Sequence, residues 1–182
     1  MEFPHIPVLV DEVVRLLEPE REGVFVDGTA GSGGHSEAIG RRLSQEGLLL
    51  CLDRDEAALG FSKRRLAFLA ERVRIVKASY SDLDRVLPDQ GLEMAQGVIL
   101  DLGMSSYQLD SSGRGFSFEK DEPLDMRMDT DEEATAATLV NDLSPGEIED
   151  ILRKYGEEKR AKAIARAIVR AVSYTHLTLP TN

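Results

Sequence analysis

The stretch Phe25-Val-Asp-Gly-Thr-Ala-Gly-Ser-Gly-Gly-His-Ser36 leaves this chain few folds to choose from. Val24-Phe25-Val26 reads as a short strand that ends at Asp27. Glycines 28, 31, 33 and 34 then let the backbone turn tightly and come close to a ligand. A helix is predicted from Ser36 to Leu43, so that its unpaired N–H groups open on the same loop. Leu48 to Leu52 is a continuous apolar run, as in a parallel strand buried on both faces, and it ends in Asp53-Arg54-Asp55. Around this unit the periodicity predicts a helix over Val8–Leu17, a helix over Glu56–Leu69, a strand over Val73–Val76 and a fourth strand over Val98–Leu100, ending at Asp101. Strands alternating with helices imply an α/β, doubly wound parallel sheet.

After Asp110 the rhythm changes. Gly113 to Asp129 is loop-like, and helices are predicted over Glu132–Val140, Pro145–Tyr155 and Glu157–Ala171. The middle one carries its own start signal: Ser144 as cap, Pro145 at the first helical position and Glu147 closing a capping box, with Gly156 to end it. The reading is therefore a core over residues 1–109, a helical segment over 110–171, and a tail over 172–182. That tail has no charged residue and breaks the preceding amphipathic pattern, so it reads as translated adapter sequence, with a native polar C-terminus as the alternative.

The longest apolar run is five residues, too short to span a bilayer, and no basic region or cleavage signal marks the N-terminus. Cys51 is the only cysteine, which fits a reducing compartment; cytoplasm is the expected location, without membrane attachment. Three scattered histidines and no CxxC argue against a zinc site, and no metal is expected. A net charge of −11 weighs against a protein that grips nucleic acid with its whole surface, but not against a local basic face. Lys162, Arg166 and Arg170 recur every four residues on one face of a helix whose other face is Ala161, Ile164, Ala165, Ile168 and Val169. That basic face is either a phosphate contact or solvated helix surface.

Four strand ends converge by the rule that ligands bind at the switch point of such sheets. Asp53 stands twenty positions after Gly33, the offset at which a carboxylate meets ribose hydroxyls. The glycines do not follow the strand at dinucleotide-fold spacing; Asp27 intervenes, and the nearest GxGxxG match puts Ser36 in the third glycine's place. Asp27 can accept hydrogen bonds from a cationic amino group and would repel a pyrophosphate, so the electrostatics favour S-adenosylmethionine (SAM) over NAD. Tyr80, after the third strand, either stacks on an adenine, with Asp82 reading its amine, or packs at the rim. Asp101 and Gly103, after the fourth, either face the cofactor's reactive group or cap the next segment.

These residues, with His5-x-Pro7-Val8-Leu9, Asp11-Glu12, Asp27-Gly-Thr-x-Gly-x-Gly-Gly-His-Ser36, Asp53-Arg-Asp55, Leu100-Asp-Leu-Gly-x-Ser-Ser-x-Gln-Leu-Asp110, Arg114-Gly-Phe-Ser-Phe118, Pro123-Leu-Asp-Met-Arg-Met-Asp129, Tyr155-Gly-Glu157 and Ala165-Arg-Ala-Ile168, closely resemble the bacterial 16S ribosomal RNA (cytosine-N4)-methyltransferase family, RsmH/MraW. The resemblance runs from about His5 to Ala171. It implies a class I SAM-dependent, Rossmann-like methyltransferase sheet, C-terminally truncated to its first four strands, with part of an inserted helical substrate-recognition domain. It implies SAM as cofactor, held by Asp27, Gly31, Gly33, Gly34, His35, Asp53, Tyr80, Asp101 and Gln108, with His35 acting mainly through its backbone. The partner implied is 16S rRNA in the small ribosomal subunit, and the reaction is methylation of the exocyclic N4 of a decoding-centre cytidine. Amino-methyltransferases often end the fourth strand in Asp/Asn/Ser-Pro-Pro-aromatic; here it ends Asp101-Leu-Gly-Met, so Asp101 is the catalytic candidate, with Ser105 and Ser106 behind it. The rivals are a small-molecule methyltransferase on the same sheet, a non-catalytic SAM- or RNA-binding module, and an NAD-dependent oxidoreductase. The oligomeric state stays open, with a homodimer among the arrangements allowed.

Overall fold

The structure, a computed structural model, describes residues 7–177, the side chains of 173–177 excepted. His5 of the N-terminal motif, and the end of the tail from 178, lie outside the described residues. The chain divides into two compact units, Met1–Ser112 and Gly113–Asn182.

In the first unit the elements follow as α1 (Val10–Leu17), β1 (Val24–Asp27), α2 (Gly34–Arg42), β2 (Leu48–Asp53), α3 (Glu56–Arg65), β3 (Val73–Lys77), α4 (Leu83–Asp89), β4 (Gly97–Ile99) and α5 (Ser106–Asp110). All strand pairs are parallel, in the order β3-β2-β1-β4. The chain steps outward from β1 through β2 to β3 and then returns to the other side of β1, so the switch point lies between β1 and β4.

The unbroken apolar run of β2 has a direct cause. Successive residues of a strand face opposite ways, and both faces are covered. Phe25, Leu49 and Cys51 pack with Val14 of α1, Ile39 of α2, and Leu43, Leu66 and Leu69. Val26, Leu50 and Leu52 pack on the other side with Val86 of α4. Fully burying such a side chain contributes about 1.5–3 kcal/mol, which is what holds strands of four and six residues in place.

Several boundaries differ from those predicted, each for a tertiary or capping reason. The helix expected over Glu56–Leu69 stops at Arg65 and gives way to a tight 3-10 turn over Ala67–Arg72, with Ala70 at φ 50°. The turn sends Leu66 and Leu69 into the core, and the Arg72 guanidinium donates to the carbonyls of Leu43 and Ser44. The fourth strand lies one residue earlier than predicted. Helices α4 and α5 escaped the periodicity because they are only seven and five residues long.

The second unit contains α6 (Ala136–Asp142), α7 (Pro145–Gly156) and α8 (Ala161–Leu177). The capping box of α7 forms as predicted: Ser144 accepts from the Glu147 N–H and Glu147 accepts from the Ser144 N–H. The left-handed residue that ends α7 is Glu157, at φ 49°, and not Gly156. Helix α6 begins later than Glu132 because Arg127 holds that stretch: its guanidinium clasps Asp125 at 2.8 Å through both Nε and Nη2 and donates to the carbonyls of Thr130 and Glu132. Thr135 then caps α6 by accepting from the Thr138 N–H. Helix α8 continues past Ala171 to Leu177, with no glycine or proline in between to stop it. Ala161 and Ala165 on α8 are fully buried, while Lys162, Arg166 and Arg170 are exposed. Among the described residues no helix is long and apolar enough to cross a membrane.

Candidate functional site

The loop after β1 is laced across the switch point by its own polar groups. The Gly28 N–H donates to the Ile99 carbonyl at the end of β4, and the Ala30 N–H donates to the Leu52 carbonyl of β2. Thr29 Oγ1 accepts from the Asp101 N–H at 2.7 Å. Gly31 adopts φ 52° and its N–H donates to Asp53 Oδ2 at 2.7 Å, while its carbonyl accepts from Ser62 Oγ at 2.8 Å. Gly33, at φ 85°, precedes the first turn of α2, and a Cβ there would lie 3.3 Å from the Ser62 Cα. Both positions need glycine: the left-handed region is costly for residues with a Cβ, and Gly33 also lacks the space.

The acids predicted from the strand ends take different roles. Asp27 is almost fully buried; Oδ2 accepts from Ser36 Oγ at 2.6 Å and Oδ1 from the Thr29 N–H at 3.1 Å. Burial pushes its carboxyl above the usual carboxylate range, against the Ser36 and Thr29 hydrogen bonds, which pull it down. Asp27 therefore braces the loop from beneath. Asp53 is partly buried, and its two oxygens accept from the Gly31 and Asp55 N–H groups. Burial raises its pKa as well, opposed by those amides. A carboxylate has about four acceptor sites, so Asp53 keeps capacity for hydroxyl donors. Asp101 follows β4 with its side chain half exposed, and Tyr80 is exposed at the start of the short 3-10 turn over Tyr80–Asp82 after β3.

Gln108, expected on the wall facing the cofactor, is buried. It is 5% exposed; its Oε1 accepts from the Ser105 N–H in a second capping box, and its Nε2 donates to Asp55 Oδ2 at 3.0 Å. Asp55, itself buried, caps α3 through Oδ1. Sequence reasoning missed this Gln108–Asp55 bridge, although Ser105-x-x-Gln108 is a readable capping signal. Ser105 and Ser106 serve as cap and first residue of α5. His35, expected to act through its backbone, turns its ring toward Asp101, with Nε2 at 3.6 Å from Oδ2. Gly34 opens α2, packed against Pro7. Among the described residues no three His, Cys, Asp or Glu side chains gather to hold a metal ion.

In the second unit, the residues from Arg114 to Asp129 act as a scaffold. Arg114 donates to the carbonyls of Arg127 and Met128, and the Arg127 clasp holds the Asp125 carboxyl well below the usual range, at about 2.

A parallel sheet in this order, with a glycine loop and carboxylates at its switch point, defines a Rossmann-like α/β domain of the kind that class I methyltransferases use. The sequence model of the MraW methylase family matches residues 2–180. The protein named ribosomal RNA small subunit methyltransferase H in Geobacter sulfurreducens is 48% identical over 171 residues, covering 94% of this chain and 55% of that protein. Its namesake in Heliobacterium modesticaldum is 47% identical over 171 residues, covering 93% of this chain and 55% of that protein. Another from Desulfosudis oleivorans is 46% identical over 171 residues, with 94% and 55% covered. The chain belongs to the MraW methylase family. It spans about half the length of the curated relatives it matches.

Proposed function

We propose that this chain carries the cofactor-binding half of a SAM-dependent enzyme that methylates the exocyclic N4 of a cytidine in the decoding centre of 16S rRNA. The observation that carries the reading is the hydrogen bond from the Gly31 N–H to Asp53, which joins the glycine loop to the acid after β2, in a member of the MraW methylase family. Asp27, Asp53 and Asp101 put carboxylates at or just beyond three strand ends, a field that suits a sulfonium and an ammonium and opposes a pyrophosphate. The donor set thus fits SAM. Asp53 would accept from its ribose hydroxyls, Tyr80 would stack on its adenine, and Gly31, Gly33, Gly34 and the His35 backbone would line the loop against it.

Bound there, SAM supplies an electrophilic methyl group and leaves as the thioether. The chain's own task is the amine. N4 is a weak nucleophile because its lone pair is delocalised into the ring. Asp101 accepts an N4–H hydrogen bond, which localises the lone pair, and takes the proton that N4 loses as the new N–C bond forms. Holding the amine in line can supply about 7–11 kcal/mol. The base must leave its stack to reach the switch point. Residues from 113 onward form part of a helical substrate-recognition domain inserted after β4, and the exposed Lys162, Arg166 and Arg170 meet rRNA phosphates.

Two measurements test this. Calorimetric titration should show the chain binding SAM and not NAD; the reverse preference would sink the cofactor reading. Methyl transfer from labelled SAM to 30S particles by the gene product carrying this sequence should place the label on a cytidine N4. Transfer to a metabolite alone would favour a small-molecule enzyme, and SAM binding without turnover a binding module.

A further inference from the structure

The His35 side chain has no task in the proposed reaction. It is the second residue of α2, 7% exposed, and its Nε2 stands 3.6 Å from Asp101 Oδ2. The other ring nitrogen, Nδ1, is buried without a hydrogen-bond partner. A buried polar atom left unmatched costs about 1–3 kcal/mol, so an imidazole placed only to fill space is a poor choice over a leucine. An unmatched acceptor is less unusual in proteins than an unmatched donor, which favours the tautomer that carries its proton on Nε2, the nitrogen turned toward Asp101. Asp101 needs such support. Its backbone N–H is fixed by Thr29 Oγ1, but its side chain is half exposed at the rim. The 3.6 Å separation is longer than a hydrogen bond, and hydrogen bonds of this kind are often long before substrate binds and tighten on closure.

We propose that His35 is a positioning residue for Asp101: donating through Nε2–H to Oδ2, it holds the carboxylate at the switch point and leaves Oδ1 to accept the N4–H of the target base. The assignment rests on the proposed role of Asp101 as that acceptor. It makes α2, whose N-terminal residues line the cofactor loop, also the element that orients the group facing the substrate. A single helix then sets the distance between methyl donor and amine acceptor.

The experiment has two arms. In the first, imidazole 15N NMR on the labelled chain identifies the His35 signals by their loss in His35→Gln. The Nε2–H tautomer should predominate, and Asp101→Asn should shift the Nε2 resonance and the tautomer ratio. Signals insensitive to Asp101→Asn would overturn the proposal. This arm needs no methyl transfer, so it stands even if the rRNA reading fails. In the second arm, the active gene product is assayed on 30S particles. His35→Leu, which fills the space without a donor, should lower kcat at least tenfold with the SAM Kd and both KM values within twofold. His35→Gln, whose amide can donate from about the same place, should recover most of that loss. His35→Leu combined with Asp101→Asn should be no slower than Asp101→Asn alone. A kcat within twofold of wild type in His35→Leu, or a full additive loss in the double variant, would reject the positioning role. If His35→Leu does not fold, the Gln variant and the NMR arm still decide it.

Discussion

At the scale of single residues, Asp53 does two jobs that separate experimentally. Its Oδ2 fixes Gly31 in the left-handed conformation that the loop needs, and its Oδ1 receives the Asp55 N–H. Asp53→Ala should lower SAM affinity at least tenfold, about 1.4 kcal/mol, measured by calorimetry. It should also cost about 1–3 kcal/mol of folding stability, because two partly buried N–H groups lose their acceptor. Asp53→Asn keeps one acceptor and should lie between. Asp27 shows how one acid at a strand end differs from the next. Its position after Val26 was legible, but its side chain is almost fully buried, with one oxygen accepting from Ser36 and the other from Thr29 inside the fold, whereas Asp53 is only partly buried. A chain of letters does not reveal that the side chain points inward, because a strand's last residue can face either side of the sheet.

At the scale of elements, the short helix α5 closes the first unit, and its length alone cannot stabilise it. Five residues are far below what an isolated helix needs. What holds it is the Ser105–Gln108 capping box and the bond from Gln108 Nε2 to Asp55 at the start of α3. Gln108→Ala should therefore destabilise the chain by about 1–3 kcal/mol, since it removes both the hydrogen bond to the buried Asp55 carboxylate and the side-chain half of the capping box. Gln108→Glu, close in shape, should be worse than Ala, because it sets two carboxylates against each other. Urea unfolding of the two variants gives the order; a Glu variant as stable as wild type would show that the bridge is not formed. The larger helices were easier to foresee. Amphipathic periodicity and the Ser144-Pro-x-Glu147 signal place α7 correctly, whereas the start of α6 depends on the Arg127 clasp, a contact that no local pattern announces.

At the scale of the whole molecule, the titration of buried acids sets a pH dependence whose sign can be worked out. Burial raises Asp27 above its unfolded value of 3.8. Between that value and the raised one the folded chain binds more protons than the unfolded chain, so stability falls as pH rises through this window. Asp53 adds to the same trend. Asp125 works oppositely: its carboxyl is held at about 2, so its contribution is present above 3.8 and is lost as pH falls through 2. Thermal melts of Asp27→Asn and wild type should diverge in favour of Asn as pH rises from 3.8 toward neutrality, and the gap should be constant below 3.8. A gap independent of pH across the whole range would show that the Asp27 carboxyl is not raised in the folded chain. The proposed RNA contact has its own test through charge. On a chain of net charge −11, reversing Arg166 and Arg170 to Glu should weaken 30S binding and flatten its salt dependence, by about one unit of slope for each phosphate no longer neutralised. Unchanged affinity and slope would reject a role for this face in holding rRNA.

Sequence by itself determined what rests on covalent spacing and local periodicity: the alternation of strands and helices, the glycine loop after β1, the carboxylates at the strand ends, and the capping box of α7. Each of these is written within a few consecutive residues. Tertiary structure alone decided which of those groups meet. Gly31 finds Asp53 across 22 positions and Gln108 finds Asp55 across 53, while His35 lies beside Asp101 because the sheet order β3-β2-β1-β4 brings the end of β4 next to the loop of β1. Those pairings follow from packing two hydrophobic faces onto one sheet, a global balance that no single segment of the chain encodes.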